Sequence, residues 1–312
     1  MMRKLIVLLL LGVLAACGST PIDYDGEGAP RAARIVALKS ARPLIALALG
    51  SGGARGFAHV GVIKALEEGG IVPDIIAGAS SGAVVAALYA SGYRASALER
   101  IALDIDRENL VDFTLFGNGW VRGEALQRFV NRAVGNRPIE RLAKPIAVIA
   151  TRARDGAMTV FNRGDTGLAV RASASVPNLF IPPVIRGEEY IDGGLTSPVP
   201  VEVARAMGAD IVIAVDVSWF AQARQNGGEP MEAARRRARY QLLEQELAGA
   251  DVVITPRTVR TRMLEFDHKL QNIAAGEEAA REMLPQVHEA IARIAAVKRP
   301  VARTPATAGN AE

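Results

Sequence analysis

The sequence predicts an α/β protein, with a mostly parallel central sheet between layers of helices and further helices toward the C-terminus. Three features carry that expectation. From Pro43 onward, short apolar runs bounded by turn residues alternate with segments of helical period. The runs are apolar throughout, as strands covered on both faces are. Three glycine-bearing turns stand just after such runs, where reactive groups gather in open α/β sheets.

In chain order, residues 44–49 (LIALAL) read as a fully buried strand. Residues 59–68 follow with helical spacing, Val60, Ile63, Ala65 and Leu66 being the apolar members. Residues 74–79 (DIIAGA) form a second buried strand and 81–89 a helix of small residues. Later strands are expected at 146–150, 158–161, 189–191, 211–217 and 252–254, and helices at 123–134, 169–174, 201–207, 231–248 and 277–297. No internal repeat is present. Residues 18–42 carry Gly, Pro, Asp and Ser with little periodicity, the composition of a tether. The tail 299–312 is rich in Pro, Ala and Thr and is expected to be disordered.

The first residues read as a targeting segment. Arg3 and Lys4 precede an apolar run at 5–14 that is too short to span a bilayer, and Ala15 and Ala16 precede Cys17. That pattern predicts a signal peptide over 1–16, cleaved before Cys17. Leu14-Ala15-Ala16-Cys17 also resembles a bacterial lipobox, in which Cys17 is acylated and becomes the mature N-terminus. Cys17 is the one cysteine in the chain, which excludes an internal disulfide. Gly18 stands where inner-membrane retention uses Asp, so resemblance to sorted lipoproteins points to an outer-membrane anchor facing the periplasm.

Without Arg3 and Lys4 the basic residues fall from 37 to 35 against 33 acids, a formal +2. That balance argues against nucleic acid as a partner. The one dense basic run, Arg235, Arg236, Arg237 and Arg239, falls in a helical stretch and reads as a solvated face or, less simply, a contact for lipid phosphate.

The chemistry lies in the turns. Residues 78–82 (GASSG) form a G-x-S-x-G elbow between a strand and a helix. The glycines let the backbone bend at Ser80, and the following helix directs its positive end at the site. Ser80 is therefore the candidate nucleophile, with Ser81 structural. The loop 50–56 (GSGGARG) lacks the Gly-Lys-Ser/Thr of a phosphate-binding loop, and no acidic residue ends the second strand as a dinucleotide site requires. Backbone amides of Gly52, Gly53 and Arg55 would instead form an oxyanion hole, each donor worth about 2.7–4 kcal/mol of transition-state stabilisation. Three histidines are available as bases. His59 reads as packing or capping and His288 as surface, while His268 stays open as a triad member. The other candidate is Asp192, a carboxylate at a strand end on a glycine turn, where it could reach Ser80 directly.

The motifs GSGGARG (50–56), GASSG (78–82), RASASVP (171–177) and DGG (192–194), in this order, resemble those of the patatin-like phospholipase family. The likeness is strongest to its bacterial branch, which is similar to the catalytic region of neuropathy target esterase, and it spans residues 44–207. Ser51 stands where many members have glycine. The resemblance implies a patatin-like three-layer fold and a Ser–Asp dyad without histidine, with Ser80 as nucleophile and Asp192 as base. It also implies that Gly52, Gly53 and Arg55 serve as the oxyanion loop. The implied organisation is a catalytic domain over 43–220, a C-terminal extension of the same domain over 221–298, and a lipidated tether over 17–42.

The function so implied is a serine lipid acyl hydrolase acting on phospholipid or lysophospholipid, held at the membrane by its lipid anchor. The alternatives are an envelope lipoprotein that binds lipids or partners with little catalysis, and a lipid acyltransferase. No metal-ligand spacing appears and no cofactor is expected. Phe113, Leu115, Phe116 and Trp120, with Leu179, Phe180 and Ile181, would line an acyl groove if exposed or pack as core if buried. Oligomeric state is left open.

Overall fold

The computed structural model describes residues 22–114, 119–218, 221 and 234–298. The expected signal segment and Cys17, Leu115 and Phe116, the first residues of the helix expected at 231–248, and the tail 299–312 lie outside the described residues.

In chain order the elements are β1 (Asp23–Tyr24), β2 (Ile45–Leu49), α1 (Ala58–Glu68), β3 (Ile75–Ala79), α2 (Ser81–Ala90), α3 (Ala95–Asp104), α4 (Arg107–Leu110) and α5 (Glu124–Ala133). Then follow β4 (Ile146–Arg152), β5 (Met158–Phe161), α6 (Thr166–Ser173), β6 (Val184–Ile185), β7 (Glu188–Asp192), α7 (Val201–Ala206), β8 (Ile211–Val215), α8 (Ala234–Ala248), β9 (Val252–Ile254) and α9 (Lys269–Lys298). The centre of the sheet is parallel, in the order β4-β3-β2-β8-β9. β5 and β7 add to β4 antiparallel, and β6 and β1 continue beyond β7. The sheet is therefore mostly parallel and flanked by helices, as expected.

Burial explains why the strands read as continuous apolar runs. Successive residues point to opposite faces, and each face has its own core. Leu47, Leu49, Ile76, Val148 and Ile213 pack on the side of α1, α2, α5 and α9. Ala46, Ala48, Ala77, Ala147 and Ala214 face the other side, with Val201 and Ala204 of α7 and Leu243 of α8. Alanine on that face lets the short α7 lie close. Among the described residues no helix is long and apolar enough to cross a membrane.

Three expectations change. First, α9 begins at Lys269, eight residues before the expected 277. Its early turns cross α1 at contact distance, where glycine replaces an apolar stripe. A Cβ on Gly61 would lie 1.9 Å from the carbonyl oxygen of Ile273, and one on Gly276 2.0 Å from that of Ala58. Second, α3 and α4 were not expected. The signal for α3 was present, since Leu98, Ile101 and Ala102 recur at helical spacing.

Third, the segment expected to be a free tether lies on the domain from β1 onward. Asp23 and Tyr24 pair with Val184 and Ile185. Ala33 exchanges hydrogen bonds with the Asn162 side chain, and the Leu38 N–H donates to Met207 O. The Tyr24 hydroxyl accepts from buried Arg171 at 3.0 Å. Backbone pairing with distant strands leaves no periodicity in the segment itself, which is why composition misjudged it.

The glycine crossing sets the seating of α9 on α1. Replacing Gly61 by leucine should lower stability by about 1–3 kcal/mol, the usual range for overpacking. Urea denaturation followed by circular dichroism would show this as a reduced midpoint. Gly26→Ala, whose added methyl meets nothing within 4 Å, should leave the midpoint in place.

Candidate active site

The site forms at the carboxyl ends of β2, β3 and β7. β3 ends at Ala79, and Ser80 turns the chain into α2 with φ 54° and ψ −123°. This conformation is strained for a residue with a side chain, by about 1–3 kcal/mol. It is held from outside, because the Ser80 N–H donates to the buried Ser173 Oγ at 2.8 Å. Glycine is required beside it. A Cβ on Gly82 would meet the Leu49 carbonyl oxygen at 2.1 Å, and one on Gly78 the Gly82 oxygen at 2.7 Å. The elbow thus lifts the Ser80 hydroxyl above the sheet at the positive end of α2.

Asp192 ends β7 opposite Ala150 of β4. Ser80 Oγ donates to Asp192 Oδ2 at 2.6 Å, and the Gly194 N–H donates to Oδ1 at 2.8 Å. The backbone is fixed as well: the Asp192 N–H donates to Ser175 O at 2.9 Å, and its carbonyl accepts from Thr151 Oγ1 at 2.8 Å. Both side chains are buried, each with 6% exposure. Loss of solvation pushes the Asp192 carboxyl up to about 6, against the opposing hydrogen bonds from Ser80 and Gly194 and the field of Arg239.

The histidines lie elsewhere. His59 is fully buried in α1, and its Nε2 donates to Gly50 O at 2.8 Å. Desolvation holds it at about 4, hence neutral, and among the described residues its Nδ1 has no partner. His268 pairs with Gln271 near the surface at 2.9 Å, and His288 contacts Gly69 O. His268 lines neither chamber of the site described below.

The structure separates the three amides expected as oxyanion donors. The Gly52 N–H donates to Ser81 Oγ at 3.1 Å, and the Arg55 N–H turns back to Gly52 O at 3.3 Å. Ala54 donates to Met263 O at 2.8 Å. Among the described residues this leaves the Gly53 amide without an acceptor, in a turn whose φ of +58° suits glycine. The Arg55 side chain is tied through Nε to Val217 O, and burial lowers its guanidinium pKa against the opposing charge of Asp216.

Two chambers meet at Ser80. One, of about 140 Å³, runs between α2, α3 and α5 past Val84, Leu98, Ile101, Leu126 and Phe180. Apart from Ser80 and Ser81, no polar side chain among the described residues lines it. The other, of about 660 Å³, is polar and includes Asp192, Arg55, Ser218 and Arg239. The two alternatives for the apolar cluster divide accordingly. Phe180 is buried and joins the apolar chamber, whereas Phe113 and Trp120 are 56% and 62% exposed. α2 and α3 contribute Val84, Val85, Leu88, Leu98, Ile101 and Ala102 to the apolar wall.

Residues not singled out beforehand complete the support. Ser173 and Ser175 lie within the RASASVP motif, whose serines were legible only as part of a pattern. Glu246 of α8 accepts from Ser197 Oγ at 2.5 Å and from the Val199 N–H at 2.9 Å, and so holds the turn that follows Asp192. Burial raises its carboxyl to about 7. Its sequence signal was an acidic residue on the same helix face as Leu243 and Leu247. Among the described residues no cluster of three His, Cys, Asp or Glu side chains is gathered as a metal site would need.

Comparison with known proteins gives the family and the fold. A family model described as patatin-like phospholipase matches residues 47–205, just over half of the chain. An uncharacterized NTE family protein of Mycobacterium tuberculosis is 37% identical over 205 residues, covering 65% of this chain and 56% of the relative. Patatin-like phospholipase domain-containing protein 6 of Homo sapiens is 37% identical over 182 residues, covering 55% of this chain and 13% of the relative. The chain therefore spans a little over half the length of the mycobacterial relative and a small part of the human one. Among solved structures, VipD from Legionella pneumophila superposes with a TM-score of 0.53 at 14% identity, over 87% of this chain and 72% of that one, a likeness of fold.

Burying Asp192 has a thermodynamic consequence. Its folded pKa lies above the ordinary carboxylate value of 3.8, so the native state resists ionising it, and the protein loses stability as pH rises from about 4 to about 6. Asn in its place avoids that cost while keeping both hydrogen bonds in reach. Asp192→Asn should therefore match the parent at pH 4 and exceed it by about 1–3 kcal/mol at pH 8. Chemical denaturation at the two pH values measures the difference, and equal gains at both would contradict the assignment.

Proposed function

This chain belongs to the patatin-like phospholipase family, and we propose that it is a serine lipid acyl hydrolase of phospholipase A or lysophospholipase type working through Ser80 and Asp192. One observation carries the reading. The Ser80 hydroxyl lies 2.6 Å from a buried carboxylate, at the junction of an apolar and a polar chamber.

In the mechanism this supports, ionised Asp192 takes the Ser80 proton as Oγ attacks the ester carbonyl carbon. A carboxyl titrating at about 6 is largely ionised at neutral pH yet basic enough to accept that proton. The oxyanion develops near the Gly53 amide and the first turn of α2. On collapse, protonated Asp192 returns the proton to the leaving alcohol, and the acyl group stays on Ser80 with its chain in the apolar chamber. Water, deprotonated by Asp192, then attacks the acyl-Ser80 ester and releases the fatty acid. With the Gly52 and Arg55 amides turned to Ser81 Oγ and Gly52 O, Gly53 is the main donor of the loop and Gly52 and Arg55 shape it.

The proposal extends to the cell. Residues 1–16 would be cleaved as a signal peptide and Cys17 lipidated, placing the enzyme on the outer membrane facing the periplasm, beside its substrate. Lys and Arg before an apolar run, and Leu14-Ala15-Ala16-Cys17 after it, support this. Residues 43–220 would form the catalytic domain, with 221–298 as an integral extension, a division supported by the reach of α8 and α9 to the site.

A fluorophosphonate probe should label the protein, with labelling lost in Ser80→Ala. Asp192→Asn should lower kcat/KM for a p-nitrophenyl ester by about 10²–10⁴-fold, the range for a lost general base, while His268→Ala keeps it. Undiminished labelling of folded Ser80→Ala would contradict the reading. Because the base must be ionised, kcat/KM should fall about tenfold per pH unit below about pH 6 and level off above it.

A further inference from the structure

The polar chamber has an uneven charge. Among the described residues the charged side chains lining it are Asp192, Arg55 and Arg239. The carboxylate of Asp192 is committed to Ser80 and Gly194. Arg55 is fixed through Nε to Val217 O, with Asp216 nearby to offset its charge. Arg239 differs. It is exposed on α8, and among the described residues its guanidinium has no carboxylate partner. Its field reaches the site, where it favours ionised Asp192.

Its direction follows from helix geometry. Arg239 precedes Glu246 by seven residues, two helical turns, so the two project from the same face of α8. Glu246 is pinned to Ser197 and Val199, in the turn that follows Asp192. The same docking therefore aims Arg239 over the chamber. The opposite chamber offers no charge at all, so an ester bound at Ser80 has one orientation in which both halves are matched, with the acyl chain in the apolar side and an anionic leaving group beneath Arg239.

We infer that the polar chamber is a phosphate subsite in which Arg239 engages the phosphodiester of a phospholipid or lysophospholipid, and that it makes the enzyme selective for phosphate-bearing over neutral acyl esters. The phosphate is recognised and left intact. The bond broken is the acyl C–O bond, with water supplying OH to the acyl group and H to the released alcohol. This inference rests on the hydrolase reading above.

The test compares oleoyl lysophosphatidylcholine with mono-oleoylglycerol, which share an acyl chain, using the full protein, Arg239→Gln and Arg239→Lys. The readout is the ratio of the two kcat/KM values at pH 8.5, so any common effect on Asp192 cancels. Arg239→Gln should lower the ratio by about tenfold or more, the factor of a lost charged hydrogen bond, and Arg239→Lys should restore part of it. An unchanged ratio in Arg239→Gln overturns the inference. So does inhibition of p-nitrophenyl butyrate hydrolysis by millimolar inorganic phosphate as strong as that by an ether-linked lysophospholipid, which would assign the subsite to a free anion. Failure of the hydrolase reading looks different: wild-type protein would neither cleave p-nitrophenyl butyrate nor take the fluorophosphonate label.

Discussion

Everything at the site depends on three backbone turns approaching more closely than side chains allow. Gly82 faces the end of β2, Gly193 faces β4, and Gly194 sits over Ser51, with added Cβ atoms that would fall 2.1, 2.0 and 2.3 Å from the nearest atoms. Gly56 meets Ser81 in the same way, at 2.6 Å. These glycines are demanded by lack of space more than by conformational freedom. Once the turns are in contact, a serine on one and an aspartate on another fall within a single hydrogen bond, although 112 residues separate them in the chain.

The same compression sets the electrostatics. Turns packed this tightly exclude water, and a carboxylate without water is costly to ionise. Asp192 keeps its charge near neutrality because Ser80 and Gly194 donate to it and Arg239 lies near. A carboxylate raised toward neutral pH can act as a base without an imidazole. The buried histidine is used otherwise, as a neutral donor that ties the Gly50 carbonyl at the start of the amide loop. Burial of one carboxylate thus costs stability, a common feature of functional sites.

Legibility followed the range of the interactions. The central strands were readable because burial on both faces makes them apolar at every position, and Val252–Ile254 and Met158–Phe161 fall on the expected residues. Ser80 and Asp192 were readable because glycine turns leave a local signature. The state of the amides was not. That Gly52 points at Ser81 Oγ depends on a contact across 29 residues, which spacing in the loop does not encode. The course of residues 22–42 was hidden for the same reason, since its pairing partners lie beyond residue 160. The wall of the apolar chamber was missed for a different cause. Its members on α3, Leu98, Ile101 and Ala102, follow a helical period in a stretch between longer signals, and side-chain size alone does not tell a chamber wall from an exposed aromatic such as Trp120.

Residues C-terminal to β8 line both chambers of the site, and the contacts explain why the site is not complete at β8. Ala54 gives its N–H to Met263 O at 2.8 Å, and a Cβ on Gly53 would meet Met263 at 2.8 Å. The segment carrying Met263 is itself fixed, because Asn272 of α9 accepts from the Val259 N–H at 2.9 Å. α9 in turn is located by its glycine crossing with α1, the helix that begins where the amide loop ends. Among the described residues the Gly53 amide is thus left without an acceptor because its neighbours are held from the far end of the chain. On the other side, α8 fixes the turn after Asp192 through Glu246 and carries Arg239 over the polar chamber. The parallel sheet brings serine and aspartate together, and the later helices decide which amide stays free and which charge overlooks the polar chamber.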